Sequence, residues 1–394
     1  MQDSVDFRNE VREWLEANCP ASMRTPMPDD ERVWGGRNPE FKNPDSKVWM
    51  DRMVEKGWTA PTWPTKYGGG GLGSEENAIL QDELRLIGAR PALMSFGLAM
   101  LGPVLLEFAT EEQRQRYLPG IVRGEIRWCQ GYSEPGAGSD LASLQTRAED
   151  KGDHFLVNGH KIWTSYSHWA DWIFCLVRTD PTTKHDGISF ILFDMESPGV
   201  RTAPIILISG VSVFCETFIE DVKVPKENLV GELNKGWTIA KRLLQHERTQ
   251  TSGMAGGRGG GGLDLANFAK KYAGEQNGKV ANPELRTEIA RQKINDSAFG
   301  LTIKRTSAER AAGIDPSDCM TIFKYYGTEQ NMSKYELLIR CLGTQGLGWE
   351  GDEFADDELM HTRDWLRTKG NSIEAGTSEI NLNVIAKRVL GLPD

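Results

Sequence analysis

Residues 129–140 read Cys-Gln-Gly-Tyr-Ser-Glu-Pro-Gly-Ala-Gly-Ser-Asp, and the rest of the chain can be organised around this stretch. Pro135, Gly136 and Gly138 favour a turn whose backbone can approach a ligand closely, because few side chains stand in the way. Tyr132 adds a ring and Ser133 adds a hydroxyl. The stretch therefore predicts a loop that could hold a flat, polar ligand. The same composition also fits an ordinary turn between two elements.

The hydrophobic pattern changes on either side of this stretch. Before it, apolar residues recur at helical spacing, as in residues 5–17, 46–56, 74–88 and 91–109. After it, short β-branched and aromatic runs separated by turns predict a small β-sandwich or barrel. From residue 237 the pattern is helical again to the C-terminus, with helices predicted over 237–252, 263–276, 284–312, 318–342 and 377–390. We therefore predict an α+β protein with an N-terminal helical domain (1–123), a middle β domain (124–234) and a C-terminal helical bundle (235–394).

Composition narrows the classes of protein that remain. The chain has 394 residues, of which 39% are hydrophobic and 26% charged, as expected of a globular protein with ample core. Its net charge of -10 argues against nucleic acid as a partner. The six cysteines form no CxxC pair, which predicts neither a metal site nor a disulfide framework. With neither a signal peptide nor a membrane span in the sequence, we expect a cytoplasmic protein.

A run of glycines interrupts the helical pattern at residues 256–262. Glycine in a helix costs up to about 1 kcal/mol per residue, so one interpretation is a loop that joins two shorter helices. The alternative is a widened cavity, since missing side chains leave room for a bulky ligand.

Several motifs together resemble the acyl-CoA dehydrogenases, a family of flavoproteins, along nearly the whole chain. The first stretch resembles the family signature that ends in Glu-Pro-Gly-Ala-Gly-Ser-Asp. Five other segments resemble family landmarks in the same order: 57–69, 161–165, 220–231, 345–348 and 376–380. This resemblance implies the three-domain fold and the cofactor FAD.

The resemblance also assigns the cofactor residues. Trp163 matches the residue that packs on the flavin ring, and Ser165 matches the hydroxyl that reaches its reactive nitrogen. An alternative for Trp163 is an aromatic side chain buried in the core. Ser139 matches a residue that holds the CoA part of the substrate. The remaining residues assigned to FAD are Gln130, Gly131, Tyr132, Ser133, Thr164, Gln345, Gly348, Thr377 and Glu379.

The implied reaction is the α,β-dehydrogenation of an acyl-CoA thioester, in which a carboxylate removes the α proton. Many family members carry this glutamate where the present chain has Ala375. Other members carry it on the first helix of the C-terminal domain, where Glu247 matches. We therefore predict Glu247 as the base, with Glu374 as the alternative. Arg248 is expected to orient the substrate, and the Ala375 amide could polarise the thioester carbonyl.

One segment departs from the family pattern. Residues 272–280 lack the Arg and Phe that reach FAD in a neighbouring subunit. The resemblance implies an electron-transfer flavoprotein as acceptor and a tetramer, which is either a homotetramer or a mixed tetramer with a second, related chain. Mixed tetramers of this kind often act on steroid-derived acyl groups. The alternatives are a half-site or non-catalytic subunit, and a flavin oxidase or monooxygenase on the same fold.

Overall fold

The computed structural model describes residues 2–255 and 263–393, without the side chains of residues 2, 3, 247–255 and 311. The chain divides into two compact units. The first contains residues 1–205 and 213–247, and the second contains residues 206–212 and 248–394.

Helices open the first unit, and their apolar faces form its core. Val11 and Leu15 of the first helix are fully buried with Leu80 of the third, and Trp49 and Trp58 complete the cluster. Burying such a face stabilises these helices more than propensity does. The helices are α1 (Gln2–Asn18), α2 (Pro44–Glu55), α3 (Ser74–Leu86), α4 (Gly102–Phe108) and α5 (Glu111–Val122).

Two helix boundaries differ from the sequence prediction. The helix expected over 91–109 begins only near Gly97, with a π-helical turn before α4. Upstream of it the Met94 amide donates to the Val33 carbonyl at 2.7 Å, so this segment pairs with another part of the chain instead. Pro119 and Gly124 are the stop signals that the sequence predicts for helix α5, which passes the proline and ends at Val122, before the glycine. Its last turn is buried, and packing there outweighs the hydrogen bond that proline removes.

An eight-stranded sheet follows, in the order β6-β7-β3-β2-β4-β5-β8, with β1 parallel to β4. Its two central strands, β4 and β5, are buried on both faces, as their apolar sequences require. Strands β1, β6 and β8 were not predicted, because they are short or lack an apolar run. The strands are β1 (Trp128–Gly131), β2 (Arg147–Asp150), β3 (His154–Ser165), β4 (Trp172–Arg178), β5 (Ile188–Asp194), β6 (Val200–Ile205), β7 (Phe214–Pro225) and β8 (Leu229–Val230).

The second unit is helical. Helix α6 (Gly236–Ala255) begins in the first unit and ends in the second. The others are α7 (Leu265–Ala273), α8 (Pro283–Ala311), α9 (Ser317–Met320), α10 (Phe323–Leu342), α11 (Asp356–Thr368) and α12 (Ser378–Val384). Helix α11 was missed in the sequence, although three acidic residues in its first turn are a start signal.

The helix expected over 263–276 is shorter than predicted. It ends at Ala273, and β9 (Glu275–Gln276) and β10 (Lys279–Val280) form a hairpin after it. The helical domain, the sheet and the helical bundle follow each other in the predicted order, so the predicted α+β fold is confirmed. Within the described residues, no helix is long and apolar enough to cross a bilayer.

Candidate functional site

The first unit presents residues 129–140 beside the end of β3. Their first three residues lie in β1 rather than in a loop, since Cys129 and Gln130 pair with Ile173 and Phe174 of β4. The loop proper begins at Tyr132. The Ile162 amide donates to the Ser133 carbonyl at 2.9 Å, which ties the loop to β3.

A buried ion pair fixes this loop. Lys161 Nζ lies 2.8 Å from Glu134 Oε1, and the two side chains are 0% and 6% exposed. Glu134 also accepts the Gln145 and Thr146 amides at 2.6 and 2.9 Å, while Lys161 donates to the Tyr132 carbonyl at 3.1 Å. Burial alone would raise the pKa of Glu134, but the Lys161 charge and these hydrogen bonds hold the pKa below its usual value.

The loop leaves room for a ligand next to this pair. Gly136 and Gly138 lie in open space, since among the described residues no atom lies within 4 Å of a Cβ built at either position. Gln130 Nε2 is buried and has no hydrogen-bond partner in the described part of the chain. A buried donor without a partner is costly unless a ligand satisfies it. These features fit the polar edge of a bound flavin.

Two of the residues assigned to FAD have buried side chains that already contact other residues of the protein. The Tyr132 ring is buried, edge-on to Phe174 and Phe190 at 6.2 and 6.5 Å. Thr164 is buried, and its hydroxyl contacts the Cys215 carbonyl at 2.8 Å and the Thr217 hydroxyl at 2.7 Å. Any contact of these two residues with a flavin would therefore use the backbone.

Trp163 is not a core residue, which rules out the buried alternative. Its side chain is 51% exposed and meets Phe214 edge-on at 5.9 Å. Its φ of 61° lies in the left-handed region, at a shift in register between β3 and β7. A bulky residue in that conformation is rare and marks a functional constraint more often than chance. Its ring is available to pack on a flat ligand, and the partly buried Ser165 follows two residues later.

The far end of the loop carries Ser139, which is exposed. Its neighbour Asp140 forms an exposed ion pair with Lys184 at 2.8 Å. Exposed pairs of this kind contribute little to stability.

In the second unit the two predicted cofactor motifs form turns. Gln345 lies in a 3-10 turn over Gly343–Leu347, and the Gly348 amide donates to its carbonyl at 3.4 Å. Thr377 caps α12, where its hydroxyl accepts the Ile380 amide at 3.2 Å. Glu379, in the first turn of α12, is exposed, and its own backbone amide and Thr377 lower its pKa.

The two predicted bases differ in what the structure describes. Glu247 and Arg248 lie in α6, but their side chains are outside the described residues, as is the glycine run 256–262. Glu374 is described, and its carboxylate is engaged with Arg367 and Asn371 at 2.7 and 2.6 Å. A carboxylate that already accepts hydrogen bonds on both oxygens is poorly placed to take a proton from a substrate.

Three residues that the sequence did not single out stabilise these motifs. Glu134 and Lys161 lie inside quoted motifs, but a strand pattern gives no reason to expect a buried lysine. Arg367 lies near the end of α11, seven residues before Glu374, and a basic residue this close to the motif was the available signal.

The segment that departs from the family pattern forms the hairpin of β9 and β10. Asn277 and Gly278 turn it with φ values of 50° and 75°, and Glu275 and Lys279 are exposed. Lys270 lies 3.5 Å from Glu275. The hairpin itself carries no arginine and no aromatic ring, so it offers neither of the groups that the family uses there.

Comparison with known proteins identifies three consecutive family profiles. The acyl-CoA dehydrogenase N-terminal domain matches residues 2–125, the middle domain matches 129–222, and the C-terminal domain matches 234–390. Together they span most of the chain.

Individual relatives agree with these profiles. The chain is 33% identical over 396 residues to acyl-CoA dehydrogenase IpdE1 of Mycobacterium tuberculosis, covering 100% of this chain and 99% of that protein. Among solved structures, it resembles the Tcur3481-Tcur3483 steroid ACAD with a TM-score of 0.77 and 30% identity, covering 100% of this chain and 98% of that chain. It also resembles the ChsE4-ChsE5 complex from Mycobacterium tuberculosis, with a TM-score of 0.72 and 26% identity over 100% and 98% of the two chains.

Proposed function

The chain belongs to the acyl-CoA dehydrogenase family, and we propose that it catalyses the FAD-dependent α,β-dehydrogenation of an acyl-CoA thioester and passes the electrons to an electron-transfer flavoprotein. The observation that carries this proposal is the loop at 129–140, held beside β3 by the buried pair of Glu134 and Lys161. Gln130 lies in β1 just before this loop, and its side-chain amide has no partner among the described residues. The exposed ring of Trp163 lies on the same strand as Lys161.

We assign different residues of the chain to the binding of the flavin and of the substrate. The open backbone at Gly136 and the Gln130 amide would hold the polar edge of the flavin, and Trp163 would pack on its ring. FAD, when bound, would accept the hydride from the β carbon. Ser139 would contact the CoA part of the substrate, and the turns at Gln345 and Thr377 would contact the remainder of the cofactor.

Proton removal is assigned to Glu247 on α6. The α proton of a thioester is weakly acidic, so its removal needs a positioned carboxylate and a donor for the developing oxyanion. The Ala375 amide is that donor in our proposal. Glu374 is disfavoured as base because both of its oxygens already accept hydrogen bonds.

Two variants test this assignment. Glu247→Gln should lower kcat by about 100-fold or more, the usual contribution of a general base, and should leave flavin content unchanged. The matched variant Glu227→Gln changes a surface glutamate of the first unit and should retain activity. Full activity in Glu247→Gln would contradict the assignment. Oxygen consumption without any added acceptor would indicate an oxidase or a monooxygenase instead.

We further propose that the chain works in a mixed tetramer and accepts a bulky, steroid-derived acyl group. Two similar structures are named as pairs of chains, Tcur3481-Tcur3483 and ChsE4-ChsE5, and the first of them is called a steroid ACAD. The hairpin of β9 and β10 lacks the arginine and the aromatic ring expected there, which favours a second chain that completes the FAD site. The glycine run 256–262 favours a large acyl group.

Flavin content tests the assembly. The chain purified alone should contain less than one flavin per chain, and co-expression with a related chain should restore both flavin and activity. Full occupancy in a homotetramer would contradict the mixed assembly. Turnover of a straight-chain acyl-CoA in preference to a steroid-derived CoA ester would contradict the substrate class.

A further inference from the structure

The turn at Ala375 presents a backbone amide that no described residue uses. The Ile373 and Glu374 amides donate to the Gly370 carbonyl at 3.0 and 2.9 Å, whereas the exposed Ala375 amide has no acceptor among the residues that the structure describes. Ala375 has a φ of 53°, in the left-handed region. That conformation is unfavourable for a residue with a Cβ and persists only where its surroundings enforce it.

The preceding residue supplies one such constraint. Glu374 Oε2 accepts from Arg367 Nη2 of α11 at 2.7 Å, and Glu374 Oε1 accepts from Asn371 Nδ2 at 2.6 Å. The two partners approach different oxygens, so they fix the direction of the carboxylate as well as its position. Charged hydrogen bonds of this kind are stronger than neutral ones.

Asn371 in turn accepts hydrogen bonds from two residues of α10. Lys324 Nζ donates to the Asn371 carbonyl at 2.9 Å, and Asn331 Nδ2 donates to the Asn371 side-chain oxygen at 2.9 Å. Burial lowers the pKa of Lys324, against the opposing effect of the Glu374 charge. One oxygen of Glu374 is therefore linked to α11 through Arg367, and the other is linked to α10 through Asn371.

The residues after Ala375 are held as well. Asn381 Nδ2 donates to the Gly376 carbonyl at 2.9 Å, and Ser378 Oγ donates to Glu329 Oε1 of α10 at 2.8 Å. The turn is thus fixed on both sides of the exposed Ala375, whose amide has no acceptor among the described residues. A hydrogen-bond donor in such a rigid frame loses little entropy when it binds an oxyanion.

We infer that Glu374 is a positioning residue. Together with Arg367 and Asn371, it holds Ala375 in the left-handed conformation and so aims its amide at the thioester oxygen of the substrate. The inference rests on the proposed function for the identity of that oxygen. The role differs from that of a base, because Glu374 neither gives nor takes a proton.

Hydrogen exchange tests the clamp without reference to activity. In the complete protein, Glu374→Gln and Arg367→Met should each speed exchange in residues 370–380 by about tenfold, equivalent to about 1.4 kcal/mol. The double variant should add little to either single change, because both break one interaction. Arg340→Met is the matched control, because it removes the ion pair between Arg340 of α10 and Glu288 of α8. It should leave hydrogen exchange in residues 370–380 unchanged. Unchanged exchange in Glu374→Gln would overturn the clamp.

Kinetics of the flavin-loaded protein, with its partner chain where one is needed, test the role. Glu374→Gln and Arg367→Met should lower kcat/KM by similar factors of about ten, with the pH profile of kcat unmoved. Ala375→Gly should partly rescue Glu374→Gln, because glycine adopts a positive φ without strain. A loss of about 1,000-fold in Glu374→Gln, with Arg367→Met near normal, would identify Glu374 as the base and overturn the inference.

The proposed function and the positioning role of Glu374 can be refuted separately. A wild-type protein that loads flavin, shows the exchange pattern above and dehydrogenates no acyl-CoA would refute the proposed function, and the thioester role of the amide with it. Normal dehydrogenation together with normal exchange in both variants would refute the positioning role alone.

Discussion

Replacing Lys161 with methionine should destabilise the loop at 129–140 far more than an ordinary surface change. The variant keeps the length of the side chain and removes its charge. Glu134 would remain only 6% exposed, with no cation beside it. Removing one partner of a buried pair costs about 3–5 kcal/mol, because the remaining charge is neither solvated nor paired. The Gln145 and Thr146 amides, which still donate to Glu134, keep the cost near the lower end.

Hydrogen exchange at Gln145 and Thr146 is the appropriate assay. The chain contains two compact units, so a single global free energy of unfolding is not well defined. A local cost of 3–5 kcal/mol corresponds to an increase in exchange of roughly two to four orders of magnitude. Lys184→Met is the matched control, because it removes an exposed partner of Asp140 in the same loop. Its cost should stay below about 1 kcal/mol.

The pH dependence separates this explanation from a simple packing defect. The pKa of Glu134 is lowered in the folded wild-type protein, so the pair stabilises above the unfolded value of 4.5 and is lost as pH falls through the lower folded pKa. Without Lys161, burial would instead raise that pKa, and the buried carboxyl would accept a proton. The loss of local stability in Lys161→Met should therefore become smaller as pH falls from 7 towards about 5. The explanation would be refuted if the loss of local stability in Lys161→Met did not depend on pH. It would also be refuted if that loss were no larger than the loss in Lys184→Met.

Two further predictions concern the scaffold. Gly102→Ala should cost at least about 1–3 kcal/mol, because its Cβ would lie 1.9 Å from the Trp63 ring. Gly300→Ala, with no atom within 4 Å among the described residues, should stabilise α8 by about 0.5–1 kcal/mol. Hydrogen exchange measured locally in α4 and α8 checks the contrast, and equal effects would contradict it. Burial raises the pKa of Tyr117 to about 12, so the stability that its neutral form provides should be complete below pH 10 and lost as pH rises through 12, as an ultraviolet titration of the phenol would show.

The sequence was sufficient for the arrangement of helices and sheet, because periodicity reports which face of an element is buried. The same rule fails around β3. Alternation buries Phe155, Val157 and Lys161, and it would bury Trp163 too. The register shift between Lys161 and Thr164 and the positive φ of Trp163 turn that ring outward instead. Neither feature has a local sequence signal, because a bulge depends on the strand that pairs with it.

Short elements were missed for a related reason. Strand β1 has four residues, and it is held in place by its parallel pairing with β4, which lies more than forty residues away. Local pattern cannot report such a partner. The family resemblance compensated at this point, because it assigned residues 130–133 to the cofactor without any knowledge of the strand.

The roles of the acidic residues follow from their neighbours and not from their motifs. Glu134 lies within the first signature and Glu374 lies beside the last, so either could be read from sequence as a catalytic carboxylate. Glu134 accepts two amides and a buried lysine, and Glu374 accepts an arginine and an asparagine. Carboxylates engaged in this way hold the backbone in place, whereas a base must direct a lone pair at the proton that it removes. Glu247 of α6, which the family resemblance proposes as the base, is therefore the residue to test first.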